Sequence, residues 1–212
     1  MGARVDGREH GQLDTEEMLL GFGGRVWADG TRVMVEPGPL SATDVAVPGD
    51  PSQAAFWAVA ALLAEGGSVV VEDLYTGFGR SDYVDVLRRM GAAIEFDAAT
   101  GTLTVRSSRL RAVELTAADI PGIVDEVPVL AIAAAVEEGT TVIEGGAKLR
   151  SGTVDSHGDH RLAMAAAVAA ACAAEGETLI TGWDSVATSY PAFMEDVVRL
   201  TGADVAAAAD EV

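Results

Sequence analysis

Three short runs in this 212-residue chain carry residues that could bind or activate a charged ligand. Gly158-Asp159-His160-Arg161 offers a forked cationic donor beside an imidazole and a carboxylate. Asp125-Glu126 sets two adjacent acids just before Pro128, and Asp50-Pro51-Ser52-Gln53 joins a helix-capping acid to a proline at the first helical position. Each run opens a stretch of uncharged, alanine-rich sequence, which places these side chains at helix N-termini. Such an end carries about half a positive charge and unpaired N–H groups, and it favours phosphate or carboxylate. Arg161 adds a guanidinium whose fork matches the same groups. If the three helices point the same way, their common end is an anion site.

Each of these residues also has a plainer reading. Asp125 either caps its helix or contacts a ligand, and Arg161 either pairs with a neighbouring carboxylate or holds an anion. Asp50, Ser52 and Gln53 read chiefly as cap and turn residues. His157 and His160 could be taken for metal ligands, but no third ligand accompanies them and Gly158 breaks the helical phase, so no metal is assigned. The single cysteine, Cys172, lies inside an alanine-rich run and reads as a small buried hydrophobe. Gly21-Phe22-Gly23-Gly24 and Gly77-Phe78-Gly79 look like phosphate loops only superficially; a helix stop and a loop explain them. Trp27, Trp57 and Trp183 read as packing residues.

The elements that hold these runs form a repeat. GDPSQAAFWAVAALLAEGGSVVVEDL from Gly49, DEVPVLAIAAAVEEGTTVIEGG from Asp125 and GDHRLAMAAAVAAACAAEGETLITGW from Gly158 share one order: acid, apolar helix, Glu-Gly, β run. Ala54–Ala64, Pro128–Val136 and Leu162–Ala174 contain no charge, and a helix apolar on all sides is buried on all sides. Three central helices with strands outside them invert the usual α/β layering.

An amphipathic helix from Ser81-Asp82 and a hairpin around Asp97 to Gly101 complete the first unit, and a matching helix spans Tyr190 to Gly202. Thr15 to Glu36 reads as helix, glycine break, strand, turn at Asp29-Gly30, strand, with Asp14 or Thr15 as cap. The unit is therefore strand, buried helix, strand, exposed helix, hairpin. As a single domain over 1–212, the chain divides into a back half-unit (1–36), a first repeat (44–108), a truncated middle repeat (112–147) and a third repeat (154–205). The tail from Ala206 reads as frayed.

A formal net charge of −19 with 14 Lys+Arg disfavours nucleic acid and anionic membrane as partners. Met1 to Leu20 is polar and acidic, unlike a signal peptide, and no charge-free stretch reaches membrane-spanning length. A soluble globular protein with the cytoplasm as its default compartment is expected.

VPGDPSQAAFWAVAALL, VLRRMGAAIEF, IPGIVDEVPVLAIAAA, VDSHGDHRLAMA and YPAFMEDVVRLTGA, in this order, resemble the carboxy-terminal portion of the 5-enolpyruvylshikimate-3-phosphate synthase family. HGQLDTEEMLLGFGGRV resembles the segment just before that family's crossover between domains. The resemblance implies an inside-out α/β barrel of βαβαββ units and a reaction without metal or organic cofactor. In it the enolpyruvyl group of phosphoenolpyruvate moves to shikimate 3-phosphate and phosphate leaves through a tetrahedral intermediate. It further implies that Asp125 contacts the acceptor hydroxyl and takes part in proton transfer. By the same resemblance Arg161, flanked by Asp159 and His160, binds phosphoenolpyruvate.

Departures from the family pattern are equally specific. A family stretch rich in arginine and lysine belongs between the middle and third copies, and the gap falls near Val142 to Gly146. Lys148 and Arg150 are poor substitutes for it, and Thr188 stands where the family has lysine. The family's first domain has no counterpart here. These losses predict a chain that turns over poorly alone, with a separately encoded first domain as a candidate partner. Alternatives are a noncatalytic anion-binding domain or the enolpyruvyl transferase acting on UDP-N-acetylglucosamine. The RNA 3′-phosphate cyclase of the same fold is disfavoured by the acidic charge.

Overall fold

The computed structural model describes residues 3–6, 14–29, 32–77, 79–116, 119–135, 141, 153–172 and 177–205. The first layer comprises β1 (Ala3–Asp6), α1 (Asp14–Gly21), β2 (Arg25–Asp29) and β3 (Arg32–Glu36), with strand order β1-β3-β2. Gly23, at φ 76°, ends α1: its N–H bonds the Leu20 carbonyl and that of Gly24 bonds Leu19, a left-handed helix stop. The reading of Gly21 to Gly24 as a helix stop therefore holds.

α2 (Pro51–Leu63) starts where Asp50 accepts a hydrogen bond from the Ser52 N–H at 2.9 Å and Pro51 fixes the first turn. Ten of its residues, from Pro51 to Leu62, are buried, as an uncharged helix requires. β4 (Ser68–Val71) follows, then α3 (Asp82–Arg89), β5 (Ala93–Asp97) and β6 (Thr102–Arg106), with strand order β4-β6-β5. β4 places Val69 and Val71 inward against Val105 and Leu103 of β6. Gly101, at φ 64°, admits no side chain, because a Cβ there would lie 2.4 Å from the Leu74 carbonyl.

In the first repeat, the expected leading strand is reduced to one bridge, Gly49 to Leu74. Val47 stays 83% exposed just before Pro48, which has no N–H to give to a ladder.

The middle repeat contributes α4 (Ile120–Ile123) and α5 (Val127–Ala135). Apart from Thr141, the β run around Thr140 to Gly146 lies outside the described residues, as do the gap near Val142 to Gly146 and Lys148 and Arg150. The third repeat has β7 (Thr153–Asp155), α6 (His160–Cys172), β8 (Leu179–Thr181), a 3-10 turn at Trp183–Thr188 and α7 (Phe193–Thr201). β7 and β8 pair in parallel, Val154 beside Ile180. α7 begins later than expected, after Pro191, and ends at Gly202 with φ 71°.

α2, α5 and α6 pack against one another pairwise, and the described strands of the repeats lie outside them. Alanines at 54, 55, 58, 133, 163 and 165 let these backbones approach. Phe193 of α7 closes one side: its ring lies 5.1 Å from Trp57, 5.4 Å from Tyr190, 5.9 Å from Phe56 and 6.3 Å from Trp183. Trp57 and Trp183 thus pack as the sequence suggested, whereas Trp27 is 44% exposed on β2. Phe193→Ala should destabilise the fold by about 3–5 kcal/mol, the cost of emptying a large aromatic site. Urea unfolding followed by circular dichroism measures it.

Candidate functional site

The three runs singled out from the sequence do meet at the helix starts. Arg161, in the first turn of α6, sends Nη2 to Asp125 Oδ1 at 3.0 Å, just before α5. Its Nη1 lies 3.9 Å from Asp159 Oδ2. Asp159 also accepts the Arg161 N–H at 2.8 Å, so one acid caps α6 and flanks the guanidinium. At the start of α2, Gln53 Nε2 donates to Ser189 Oγ at 2.8 Å, linking that helix to the loop before α7. Both readings of Arg161 are therefore physically present: it is paired with carboxylates, at an end that also suits an anion. His160 is half-buried beside them, and among the described residues no hydrogen bond or ion pair engages its ring.

The turn that presents this arginine is tightly built. Ser156 is fully buried; its Oγ donates to the Gly182 carbonyl at 3.1 Å and accepts the Gly158 N–H at 3.2 Å. His157 takes a left-handed φ of 51°, its N–H bonded to Asp155 at 2.8 Å and its Nδ1 3.3 Å from the same carboxylate. That use of His157 turns it toward β7.

Asp125 is fixed from the other side. Asp119 accepts hydrogen bonds from the Thr116 N–H and hydroxyl at 2.7 and 2.9 Å and pairs with Arg89 at 3.0 Å, which anchors α4 to α3. The Glu126 N–H then bonds the Ile123 carbonyl and the Leu130 N–H bonds that of Glu126, leaving Asp125 at the bend.

Sequence reasoning noted Glu126 beside Asp125 without giving it a role, and it passed over Tyr83. Glu126 is 5% exposed, and burial first of all, with Asp125 and Asp50 adding to it, pushes its carboxyl above the usual carboxylate range. Ser52 faces Glu126 and opposes the rise, although its buried Oγ has no hydrogen bond of standard geometry. The buried Tyr83 phenol is raised by the same desolvation and by the charges of Glu126 and Asp50. An acid bordering a long uncharged helix was the available signal for Glu126. Nothing in the amphipathic pattern of α3 marks Tyr83.

Thr188, where a cation was missed, is exposed and turns its hydroxyl to the Ser185 carbonyl at 2.6 Å. At the opposite ends of α2 and α6 lies a cavity of about 470 Å³, lined by Trp57, Ala61, Cys172 and Leu200 among others. Burial raises the Cys172 thiol, in keeping with a packing role.

The family model of EPSP synthase (3-phosphoshikimate 1-carboxyvinyltransferase) matches residues 8–152 and 146–197. The chain belongs to the EPSP synthase family. A 3-phosphoshikimate 1-carboxyvinyltransferase of Bacillus thuringiensis (strain Al Hakam) is 34% identical over 232 residues, covering 88% of this chain and 54% of the relative. One of Roseiflexus castenholzii is 35% identical, covering 93% and 56%.

Among solved structures, EPSP synthase from Acinetobacter baumannii superimposes with a TM-score of 0.81 at 27% identity, over 97% of this chain and 58% of that one. The enolpyruvyl transferase NikO from Streptomyces tendae, at 0.74 and 21% identity, shares the fold. This EPSP synthase-family chain thus has the inside-out α/β fold and spans about half the length of the relatives it matches.

The family match falls into two pieces that overlap at 146–152, and the alignment with the Bacillus protein runs over 232 residues, more than this whole chain has. Relatives therefore carry internal sequence that this chain lacks. Among the described residues no helix is long and apolar enough to cross a membrane.

Glu126 gives a pH test. Its folded form holds a proton that the unfolded chain has released once pH passes the ordinary carboxylate range, so the stability it contributes is full in acid and falls as pH rises. Urea midpoints from about pH 5 to 8 should fall less steeply for Glu126→Gln than for the parent. Equal slopes would contradict the assignment.

Proposed function

We propose that this chain supplies the phosphoenolpyruvate-binding half of a cytoplasmic 3-phosphoshikimate 1-carboxyvinyltransferase. The observation that carries the reading is the Arg161–Asp125 pair, which joins the starts of α6 and α5. A carboxylate-bearing phosphate ester entering there meets the guanidinium fork and the N–H groups of helix ends.

Asp125 has the complementary task. Released from Arg161 by the incoming anion, its carboxylate can take the proton of the shikimate 3-phosphate hydroxyl as that oxygen bonds the central enol carbon. Delivery of that proton from Asp125 to the methylene carbon gives the tetrahedral intermediate. Loss of phosphate from the central carbon and of a proton from the methyl carbon restores the enol. His160 and Asp159 line the approach, Asp159 chiefly by holding the Arg161 backbone. The reading requires no metal or organic cofactor.

Arg161 already carries two carboxylate neighbours, so it supplies little net positive charge by itself. Thr188 adds none. One preorganised donor to developing charge is commonly worth about 10²–10³ in rate. A chain without the further cations is therefore weak alone, and a separately supplied first domain is its partner.

Phosphate release from phosphoenolpyruvate and shikimate 3-phosphate, with and without the unmatched portion of the Bacillus relative, tests the reading. Turnover confined to the mixture is expected. Family-like rates from this chain alone would sink the claim of incompleteness. No turnover in the mixture, with phosphoenolpyruvate still shifting amide resonances near Arg161, would favour a noncatalytic anion-binding domain. Two substitutions probe the pair directly. Asp125→Asn removes the carboxylate that competes for Arg161 and should tighten phosphate binding several-fold while abolishing any turnover, whereas Arg161→Gln should erase the phosphate-induced resonance shifts.

A further inference from the structure

Behind the Arg161–Asp125 pair lies a buried cluster of oxygen atoms that the proposed reaction does not use. Glu126 is 5% exposed and Tyr83 1%, although both side chains end in polar groups. Three elements contribute: Ser52 from the first turn of α2, Tyr83 from α3 and Glu126 from the turn that leads into α5. Glu126 faces Ser52 and Asp50, and Tyr83 faces Glu126 and Asp50. Ser52 Oγ, Gln53 Oε1 and Tyr83 Oη are all buried without a hydrogen bond of standard geometry. Buried polar atoms in native proteins are normally paired, so three together call for a shared partner.

The Glu126 carboxyl suits that place only with its proton on. A neutral carboxyl offers one O–H donor and keeps acceptor capacity, whereas a carboxylate only accepts. Ionised, it would also lack a counter-charge. Among the described residues, the charges that act on it are both acidic: Asp50 at the start of α2 and Asp125 in its own turn. At the start of α6, beside His160, the Arg161 guanidinium already holds Asp125 at 3.0 Å and lies 3.9 Å from Asp159. Before α4, Asp119 is engaged by Arg89 of α3 and by Thr116. A Cβ on Gly122 of α4 would collide with the Asp82 carboxylate, so α3 and α4 touch there. Burial first, and then these acids, keep the Glu126 proton on above the ordinary carboxylate range.

We propose that Glu126 is a positioning residue for the anion site: as a neutral acid it ties the starts of α2 and α5 to α3 behind Asp125, and loss of its proton weakens anion binding at Arg161. The second half follows from charge. Ionised Glu126 sets a second carboxylate next to Asp125 in a water-poor setting, where an incoming anion feels the added charge strongly. By linkage, an anion bound at Arg161 holds the Glu126 proton more tightly. The proposal rests on the reading of Arg161 as an anion site and deepens it, since occupancy becomes pH-dependent.

Sulfate is the probe, added to the full chain, because its charge stays constant where the carboxyl titrates. Titrations from about pH 5 to 9 span a carboxyl raised above its ordinary value. Amide resonances near Arg161 report sulfate affinity, and the carboxyl carbon of Glu126 reports its proton. Affinity should fall about fivefold or more as that carboxyl ionises. In Glu126→Gln the fall that follows this midpoint should vanish and affinity stay at its acid value, while any share carried by the His160 imidazole survives. Ser52→Ala removes the hydroxyl that favours the ionised carboxyl, so the midpoint should rise in both readouts. A merely structural residue would change stability and leave these midpoints alone. Should Glu126→Gln fail to fold, the parent and Ser52→Ala decide the matter. Affinity unchanged across the Glu126 midpoint, a carboxyl that keeps one state throughout, or a Ser52→Ala midpoint that does not rise would each overturn the proposal and leave the anion site standing. Sulfate that shifts no resonance near Arg161 at any pH would overturn the functional reading as well.

Discussion

Mutual burial of three uncharged helices is the constraint on which everything else depends. α2, α5 and α6 have no polar face to offer water, so each must be enclosed by the other two and by the strands outside them. Alanine is the residue that makes this geometry attainable, since it keeps helix axes close and loses little entropy on ordering. Once the helices are locked together, their starts are gathered at one end. Charged and polar side chains, excluded from the helix bodies, accumulate there.

That end is electrostatically mixed. Helix termini and Arg161 favour an anion, while Asp50, Asp125, Glu126 and Asp159 favour a cation or a proton. The structure resolves the conflict locally: Asp50 and Asp159 cap helices, Asp125 pairs with Arg161, and Glu126 is buried with its carboxyl shifted toward the protonated form. Under the proposed function a substrate anion displaces a carboxylate, which is then free to act on a proton. That proposal couples binding and proton transfer through one ion pair.

The continuous apolar cluster lies within one part of the chain, between Ala54 and Ala203. Phe193, Trp57, Phe56 and Tyr190 close the core of the later repeats without any residue from the first layer. The chain belongs to the EPSP synthase family and spans about half the length of the relatives it matches.

Composition and periodicity were enough to determine the inverted layering, because an uncharged helix flanked by Glu-Gly and a β run can be buried only one way. The capping acids were equally legible, since Asp-Pro-Ser and Gly-Asp-His-Arg satisfy local N–H groups within a few residues. The missing leading strand before α2 was not, because ladder formation depends on a partner remote in sequence, and here only Gly49 finds one. Tertiary packing alone brought Asp125 to within 3.0 Å of Arg161 and desolvated Glu126 and Tyr83. It alone left the first layer outside the core. Sequence sets which groups cap, which cannot face water and which carry charge; distances and dielectric arise from contacts between remote segments, and those decide what the charges do.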